Sequence, residues 1–171
     1  MTFPTTTEAI LAKLISFDTT SRESNLPLIA WVETYLDHHS VPHLRVDYEI
    51  DRKTNLYATI GPDVAGGIVL SGHTDVVPVD GQDWSSDPFV MTLRNGLLYG
   101  RGSADMKGFI AVALAMVPQS NAWPSGCRSI LHCPATRKSD ARVCGHWWNI
   151  CGTRLEGPRP LSSVNQLPCK L

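Results

Sequence analysis

Hydrophobic residues in the first two thirds of the chain follow two different periods, and each period predicts a different kind of element. In segments 10–15 and 28–36 apolar side chains recur at helical spacing, which predicts two amphipathic helices. Thr7 would cap the first helix, and the second would start near Asn25 with a proline in its first turn. Between residues 44 and 60 the period changes to two, as in half-buried strands.

The next segments predict a buried strand, a hairpin and a third helix. The continuous apolar run at 67–71 is typical of a central strand that is buried on both faces. Asn95-Gly96 is a strong turn signal between segments 91–94 and 97–99, which predicts a hairpin. Residues 107–117 then carry apolar side chains along one side of a helix. Strands interspersed with helices predict an α/β fold.

Residues 119–171 show neither period and differ from the rest of the chain in charge and cysteine content. Residues 1–118 carry fourteen acidic and eight basic side chains, a net charge of −6, whereas residues 119–171 carry two and seven, a net charge of +5. The second part also contains all five cysteines, Cys127, Cys133, Cys144, Cys151 and Cys169. We therefore predict part of a folded domain over 1–118, followed by an irregular and disordered tail over 119–171.

The composition of the whole chain excludes some classes of partner. A net charge of −1 gives no general reason to expect binding to nucleic acid or to an anionic membrane. No apolar run approaches the length of a membrane span. Residues 1–8 lack the basic and apolar regions of a secretion signal, so we predict a cytoplasmic protein.

A first candidate for chemistry follows the predicted strand at 67–71. In open α/β sheets, ligands bind at the carboxyl ends of strands, and His73 stands at this end. Asp75 would accept a hydrogen bond from one ring nitrogen and leave the other for a metal ion. A His-x-Asp spacing alone more often belongs to a buried histidine that is hydrogen-bonded to a nearby acid than to a metal site.

The second candidate is Asp105, which directly precedes the predicted third helix. An aspartate in this position is commonly a helix N-cap. The functional interpretation is a carboxylate that bridges two metal ions, with the neighbouring glycines Gly100, Gly102 and Gly108 allowing the backbone to approach the site.

Taken together, the two clusters resemble the co-catalytic zinc aminoacylase and carboxypeptidase family. The shared signature is Gly-His-Thr-Asp-Val-Val-Pro at 72–78, Trp84, Pro88-Phe89, Leu-Tyr-Gly-Arg-Gly at 98–102 and Asp-Met-Lys-Gly at 105–108. Segments 83–89 and 105–109 favour the acetylornithine deacetylase subfamily over succinyl-diaminopimelate desuccinylases. The resemblance covers residues 1–118.

This resemblance implies a fold and a role for each site residue. The fold would be an incomplete zinc-peptidase-like catalytic domain, with a mixed central sheet flanked by helices. His73 would ligate one zinc ion, and Asp105 would bridge two. Asp75, the candidate catalytic residue, would orient His73. The peptide bond between Asp105 and Met106 would be cis.

The resemblance also implies an activity. Members of the family hydrolyse the amide bond of small-molecule N-acyl amino acids, here N-acetylornithine in arginine biosynthesis. They use two Zn²⁺ ions, and Co²⁺ also suits such ligands. A glutamate acts as general base. Family members form homodimers through a further domain, which we do not find in this sequence.

The expected pair of glutamates, one the base and the other a zinc ligand, is absent from the sequence. Residues 135–140 read Ala-Thr-Arg-Lys-Ser-Asp where the pair would stand. The codons of residues 135–141 can also be read in a shifted frame, in which the last base of each codon joins the first two bases of the next. Some of the permitted codons then encode Asp-Glu-Glu-Val-Gly-Cys, the motif expected there. We therefore predict a frameshift near residues 118–120, and an inactive chain.

Two other interpretations remain open at the level of sequence. Cys127, His132, Cys133, Cys144, His146 and Cys151 could form a zinc module, although their spacings match no common zinc motif. The chain could also be a non-catalytic metal-binding fragment.

Overall fold

The structure is a computed structural model that describes residues 3–47, 52–62, 67–122 and 128–136. Its helices are α1 (Thr7–Ile15), α2 (Leu26–His38) and α3 (Gly108–Ala115). Its strands are β1 (His43–Asp47), β2 (Thr54–Ile60), β3 (Ile68–Ser71), β4 (Thr92–Arg94), β5 (Leu97–Tyr99) and β6 (Ser129–Cys133). A kinked turn, Ser103–Lys107, in which Asp105 and Met106 have non-helical backbone angles, leads into α3, and a 3₁₀ segment, Val117–Ala122, follows it.

The main sheet has four strands in the order β1-β2-β6-β3, and it is mixed. β2 pairs antiparallel with β1 and with β6, whereas β3 pairs parallel with β6. In this register Leu131 of β6 lies opposite Ala58 on one side and Leu70 on the other. The predicted α/β fold with a mixed sheet and flanking helices is therefore confirmed.

The helices begin close to where the apolar pattern predicts. Thr6, rather than Thr7, caps α1, because its hydroxyl accepts a hydrogen bond from the Ala9 N–H at 3.3 Å. The apolar stripes of the helices form one core with β2 and β6. Its fully buried aliphatic members include Ile10, Leu14, Ile15, Leu28, Ile29, Leu36, Leu56, Ile60, Ile110, Leu114 and Leu131.

The hairpin β4-β5 confirms the turn signal. Its two turn residues, Asn95 and Gly96, have φ angles of 51° and 75°. This left-handed backbone at both central positions is what a two-residue hairpin turn requires.

Two strand predictions are wrong in their burial. The pattern predicts a half-buried β2, yet six of its seven residues are buried, because both of its faces are covered. It predicts a central β3, yet in the described sheet β3 pairs with β6 alone, and Ile68 is 66% exposed. An apolar run in the sequence does not show which face of the strand another segment will cover.

The prediction of no regular structure after residue 118 is wrong for β6. Its residues Ile130, Leu131, His132 and Cys133 are all buried. A strand covered on both faces needs no alternation of polar and apolar residues, so period two is missing although the strand is present. Residues 123–127 and 137–171 of the predicted disordered tail lie outside the described residues.

Among the helices of the described ranges, none is both long enough and apolar enough to cross a membrane.

Candidate metal centre

The loop after β3 carries His73 and is held on both sides by backbone hydrogen bonds. The N–H of Gly72 donates to the His132 carbonyl at 2.9 Å, and the N–H of Thr74 donates to the Pro134 carbonyl at 2.9 Å. The buried hydroxyl of Thr74 also contacts the side-chain amide of Asn25 at 3.0 Å. The segment after β6 thus fixes the position from which His73 leaves the sheet.

The turn that carries Asp105 reaches the same place through close backbone approaches. Gly102 has a φ of 82°, and a Cβ there would lie 2.7 Å from Val76 Cγ1. A Cβ on Gly108 would collide with the carbonyl oxygen of Ser103. A side chain at Gly102 would push the turn away from the His73 loop, and one at Gly108 would distort the turn itself, which explains why the motif has glycine at both positions.

Asp105 does not cap α3. The N-cap position of α3 is Lys107, and the cap makes no side-chain hydrogen bond. The peptide bond between Asp105 and Met106 is cis, as the resemblance implied. The carboxylate of Asp105 is instead presented to His73.

The three predicted site residues lie together. His73 Nε2 is 3.0 Å from Asp105 Oδ1, although the two residues are 32 positions apart in the chain. His73 Nδ1 is 3.0 Å from the carbonyl oxygen of Asp75 and 3.1 Å from its Oδ1. The aligned hydrogen bond of Nδ1 goes to the carbonyl, so Asp75 holds the ring with its backbone, while its Oδ1 lies close to Nδ1 without a hydrogen bond.

These groups line a cleft of about 290 Å³. The side chains of His73 and Asp75 are 11% and 14% exposed, whereas that of Asp105 is 58% exposed. The histidine therefore lies at the base of the cleft, and the carboxylate of Asp105 faces its opening.

Two residues of the cleft were missed by the sequence analysis. Ser21 lines it from the segment before α2, far in sequence from both clusters, and no pattern predicts it. Arg101 belongs to the Leu-Tyr-Gly-Arg-Gly motif, but the sequence predicted no role for it. Its guanidinium lies 4.9 Å from the centre of the Trp84 ring and donates to Gln82 Oε1, which also accepts from Trp84 Nε1 at 3.0 Å.

A buried lysine lies directly beneath the turn. Lys107 is fully buried, and its Nζ donates to the Phe17 carbonyl at 2.8 Å. Burial lowers the pKa of Lys107 to about 8, while the charge of Asp18 acts in the opposite direction.

His73 Nε2 and the carboxylate of Asp105 together could bind a divalent metal ion. Both ring nitrogens of His73 face oxygen acceptors, yet a neutral imidazole carries a single N–H. With Nδ1 donating to Asp75, a cation at Nε2 would satisfy the ring lone pair and the Asp105 carboxylate together. Imidazole and carboxylate ligands are those that zinc accepts, at about 2.0–2.2 Å.

The described residues do not supply a complete ligand set. No group of three or more His, Cys, Asp or Glu side chains suited to a metal ion occurs within residues 3–47, 52–62, 67–122 and 128–136. In β6, burial lowers the pKa of His132 to about 4 and raises the pKa of the Cys133 thiol to about 12. His132 and Cys133 are consecutive residues of a strand, so their side chains point to opposite faces of β6 and do not meet at one ion, which disfavours the alternative zinc module. Its members Cys127, Cys144, His146 and Cys151 lie outside the described residues.

In comparisons with known proteins, part of the chain matches one protein family. Residues 69–131 match peptidase family M20/M25/M40. The chain is 45% identical over 95 residues to acetylornithine deacetylase of Proteus mirabilis (strain HI4320), a match that covers 53% of this chain and 23% of the relative. It is 55% identical over 62 residues to acetylornithine deacetylase of Shigella sonnei (strain Ss046), covering 36% and 16%.

A solved structure shows the same fold. Human carnosine dipeptidase 1 superposes with a TM-score of 0.71 over 87% of this chain and 36% of its own, at 19% identity. The chain spans about a quarter or less of the length of these two curated deacetylases. Over residues 69–131 this chain is similar to peptidase family M20/M25/M40, and the resemblance to acetylornithine deacetylase predicted from its sequence is confirmed.

Proposed function

We propose that the site serves metal-dependent hydrolysis of the N-acetyl amide of N-acetylornithine in arginine biosynthesis, and that this 171-residue chain does not itself turn over substrate. The observation that carries the first part is the 3.0 Å approach of His73 Nε2 to Asp105 Oδ1, which joins two separate motif clusters in one cleft. The names of the two curated relatives support this substrate. Succinyl-diaminopimelate, or another N-acyl amino acid, is the alternative substrate.

The proposed roles follow the geometry of the cleft. His73 would bind a Zn²⁺ ion through Nε2, and Asp105 would bridge it to a second ion. Asp75 would hold the ring by accepting from Nδ1, which leaves Nε2 unprotonated. Zinc, when bound, polarises an amide carbonyl and makes a coordinated water acidic near neutral pH. Co²⁺ would suit the same ligands.

The inactivity of this chain follows from the residues that stand where a base is needed. A general base must take a proton from the attacking water and pass it to the leaving amine. Residues 135–140 read Ala-Thr-Arg-Lys-Ser-Asp and contain no glutamate. Asp75 is engaged with His73, and Asp105 would be engaged as a ligand, so neither serves as the base.

An out-of-frame tail, predicted over 119–171, remains part of this proposal with a later start, as does a cytoplasmic location. The charge reversal and the cysteine content support such a tail. β6 and the family match both extend past residues 118–120, which favours a break after Cys133 over the earlier position. Sequencing the coding DNA across codons 115–141 distinguishes the two positions, and codons that forbid Asp-Glu-Glu-Val-Gly-Cys exclude the frameshift.

The activity test uses the purified chain with N-acetylornithine and, separately, with N-succinyl-diaminopimelate. Release of the free amine is measured with added Zn²⁺ or Co²⁺ and in a chelated control. We expect no metal-dependent turnover from this chain, and turnover of N-acetylornithine once the coding frame is restored. Clear metal-dependent turnover by the chain as it stands would mean that another residue replaces the missing glutamate.

Zinc binding itself is expected to be weak and to depend on His73. Because the described residues supply two ligands, we expect a chelator to remove the metal readily, and His73→Ala to abolish the remaining binding. Zinc content after dialysis measures both effects. His38→Ala is the matched control, since His38 is an exposed histidine on α2. Stoichiometric zinc that resists chelation, or equal losses in the two variants, would contradict this expectation.

A further inference from the structure

A short segment between α1 and α2, residues 17–21, lies beside the loop after β3, and we name it the strap. Thr20 forms an isolated parallel bridge with Val76, and two backbone hydrogen bonds of 3.0 and 3.1 Å flank this bridge. The buried hydroxyl of Thr19 donates to the Thr74 carbonyl at 2.6 Å. The strap is therefore bonded to the loop on both sides of Asp75.

Two buried lysines hold the two ends of the strap. Lys107 Nζ donates to the carbonyl of Phe17 at 2.8 Å. Lys53 Nζ donates to the carbonyl of Ser21, at the other end. Lys107 is fully buried and Lys53 is 8% exposed. An ammonium group is costly to bury, so these two bonds to carbonyl oxygens are part of what makes the arrangement stable.

The strap joins the two halves of the metal centre. Lys107 stands two residues after Asp105, in the same turn, so its bond fixes that turn to the strap. The same strap is fixed to the loop that carries His73 through Thr74 and Val76. A chain of hydrogen bonds thus runs from one proposed ligand to the other without passing through a metal ion.

We propose that the strap, held by Lys53 and Lys107, positions His73 and Asp105 relative to each other for metal binding. Lys107 is then a positioning residue that acts through Phe17. The proposal rests on the proposed metal centre, and it adds a part of the chain that lies outside both motif clusters.

The test uses Lys107→Met, which keeps much of the side-chain volume and removes the donor. Thr19→Val removes the bond from the strap to Thr74 and keeps the side-chain shape. Three quantities are measured for each variant of the full chain: the melting temperature, the Kd for Zn²⁺ by calorimetry, and the metal-free nuclear Overhauser contact between the His73 ring and the Asp105 methylene. We expect each variant to bind zinc about tenfold more weakly, the scale of an outer-shell contact, and to lose most of the metal-free contact.

Two control variants separate positioning from general stability. Lys13→Met makes the same substitution beside the same residue, because the exposed Lys13 lies 4.7 Å from the centre of the Phe17 ring. Val32→Ala removes core volume from α2, away from the strap, and is expected to lower the melting temperature. Both controls should retain the Kd for zinc and the contact between His73 and Asp105.

Each outcome decides the proposal. An unchanged Kd and an unchanged contact in Lys107→Met overturn it, as does an equal loss in Val32→Ala. If Lys107→Met does not fold, Thr19→Val decides in the same way. If the wild-type chain binds no zinc at His73, the proposed metal centre fails, and the metal-free contact alone then supports or overturns the strap.

Discussion

Replacing Leu131 by alanine is expected to lower the free energy of unfolding by about 2–5 kcal/mol, the range for removing a buried leucine side chain. Leu131 is fully buried in β6, between β2 and β3, and belongs to the main core. The cavity left by the missing methyl groups would open in the core that packs on this face of the sheet, beside a strand whose backbone is paired on both sides. Urea unfolding followed by circular dichroism measures this change.

The control for this substitution is Ile68→Ala in the neighbouring strand. Ile68 is 66% exposed, so its truncation should change the free energy of unfolding by no more than about 0.5 kcal/mol. A small effect at Leu131, similar to that at Ile68, would mean that β6 is not part of the folded sheet. In that case the folded segment would end near residue 118, as the sequence pattern predicts.

Acidification from pH 6.5 to pH 4 is expected to destabilise the protein by up to about 3 kcal/mol through His132 alone. Burial lowers the pKa of His132 to about 4 in the folded chain, against an ordinary value of 6.5. Between these two values the unfolded chain binds the additional proton and the folded chain does not. Stability therefore falls as the pH falls through this window, and this group contributes no further loss below pH 4.

The structural reason for this shift is the packing of the ring. His132 stacks on Tyr57 with ring centres 4.5 Å apart, and its Nδ1 lies 3.1 Å from Ser71 Oγ. His132→Asn retains a polar group near the position of Nδ1 and removes the titration. The free energy of unfolding, measured at several pH values in both proteins, gives the contribution of His132 as their difference. Equal pH dependence in the two proteins would contradict the assignment.

The local elements of this protein could be predicted from its sequence because each leaves a local pattern. α1 and α2 each bury one face, so their apolar residues recur at helical spacing. The hairpin β4-β5 depends on left-handed backbone at Asn95 and Gly96, and an Asn-Gly pair favours this conformation. The motif clusters of His73 and Asp105 could be found in the same way, because each is a contiguous run of residues.

Other features depend on contacts between segments that are far apart in the chain, and the spacing of apolar residues does not predict such contacts. β6 has no alternation because both of its faces are covered, and β3 is apolar although Ile68 is exposed in the described sheet. The burial of Lys107 and the bonds of the strap could not be predicted either, because Phe17 and Lys107 are 90 positions apart. From the amino-acid sequence alone one could predict the helices, the hairpin and the two motif clusters that carry the proposed metal ligands. The tertiary structure alone decided the place of β6 and the 3.0 Å approach of His73 to Asp105, because both arise from contacts between segments far apart in the chain.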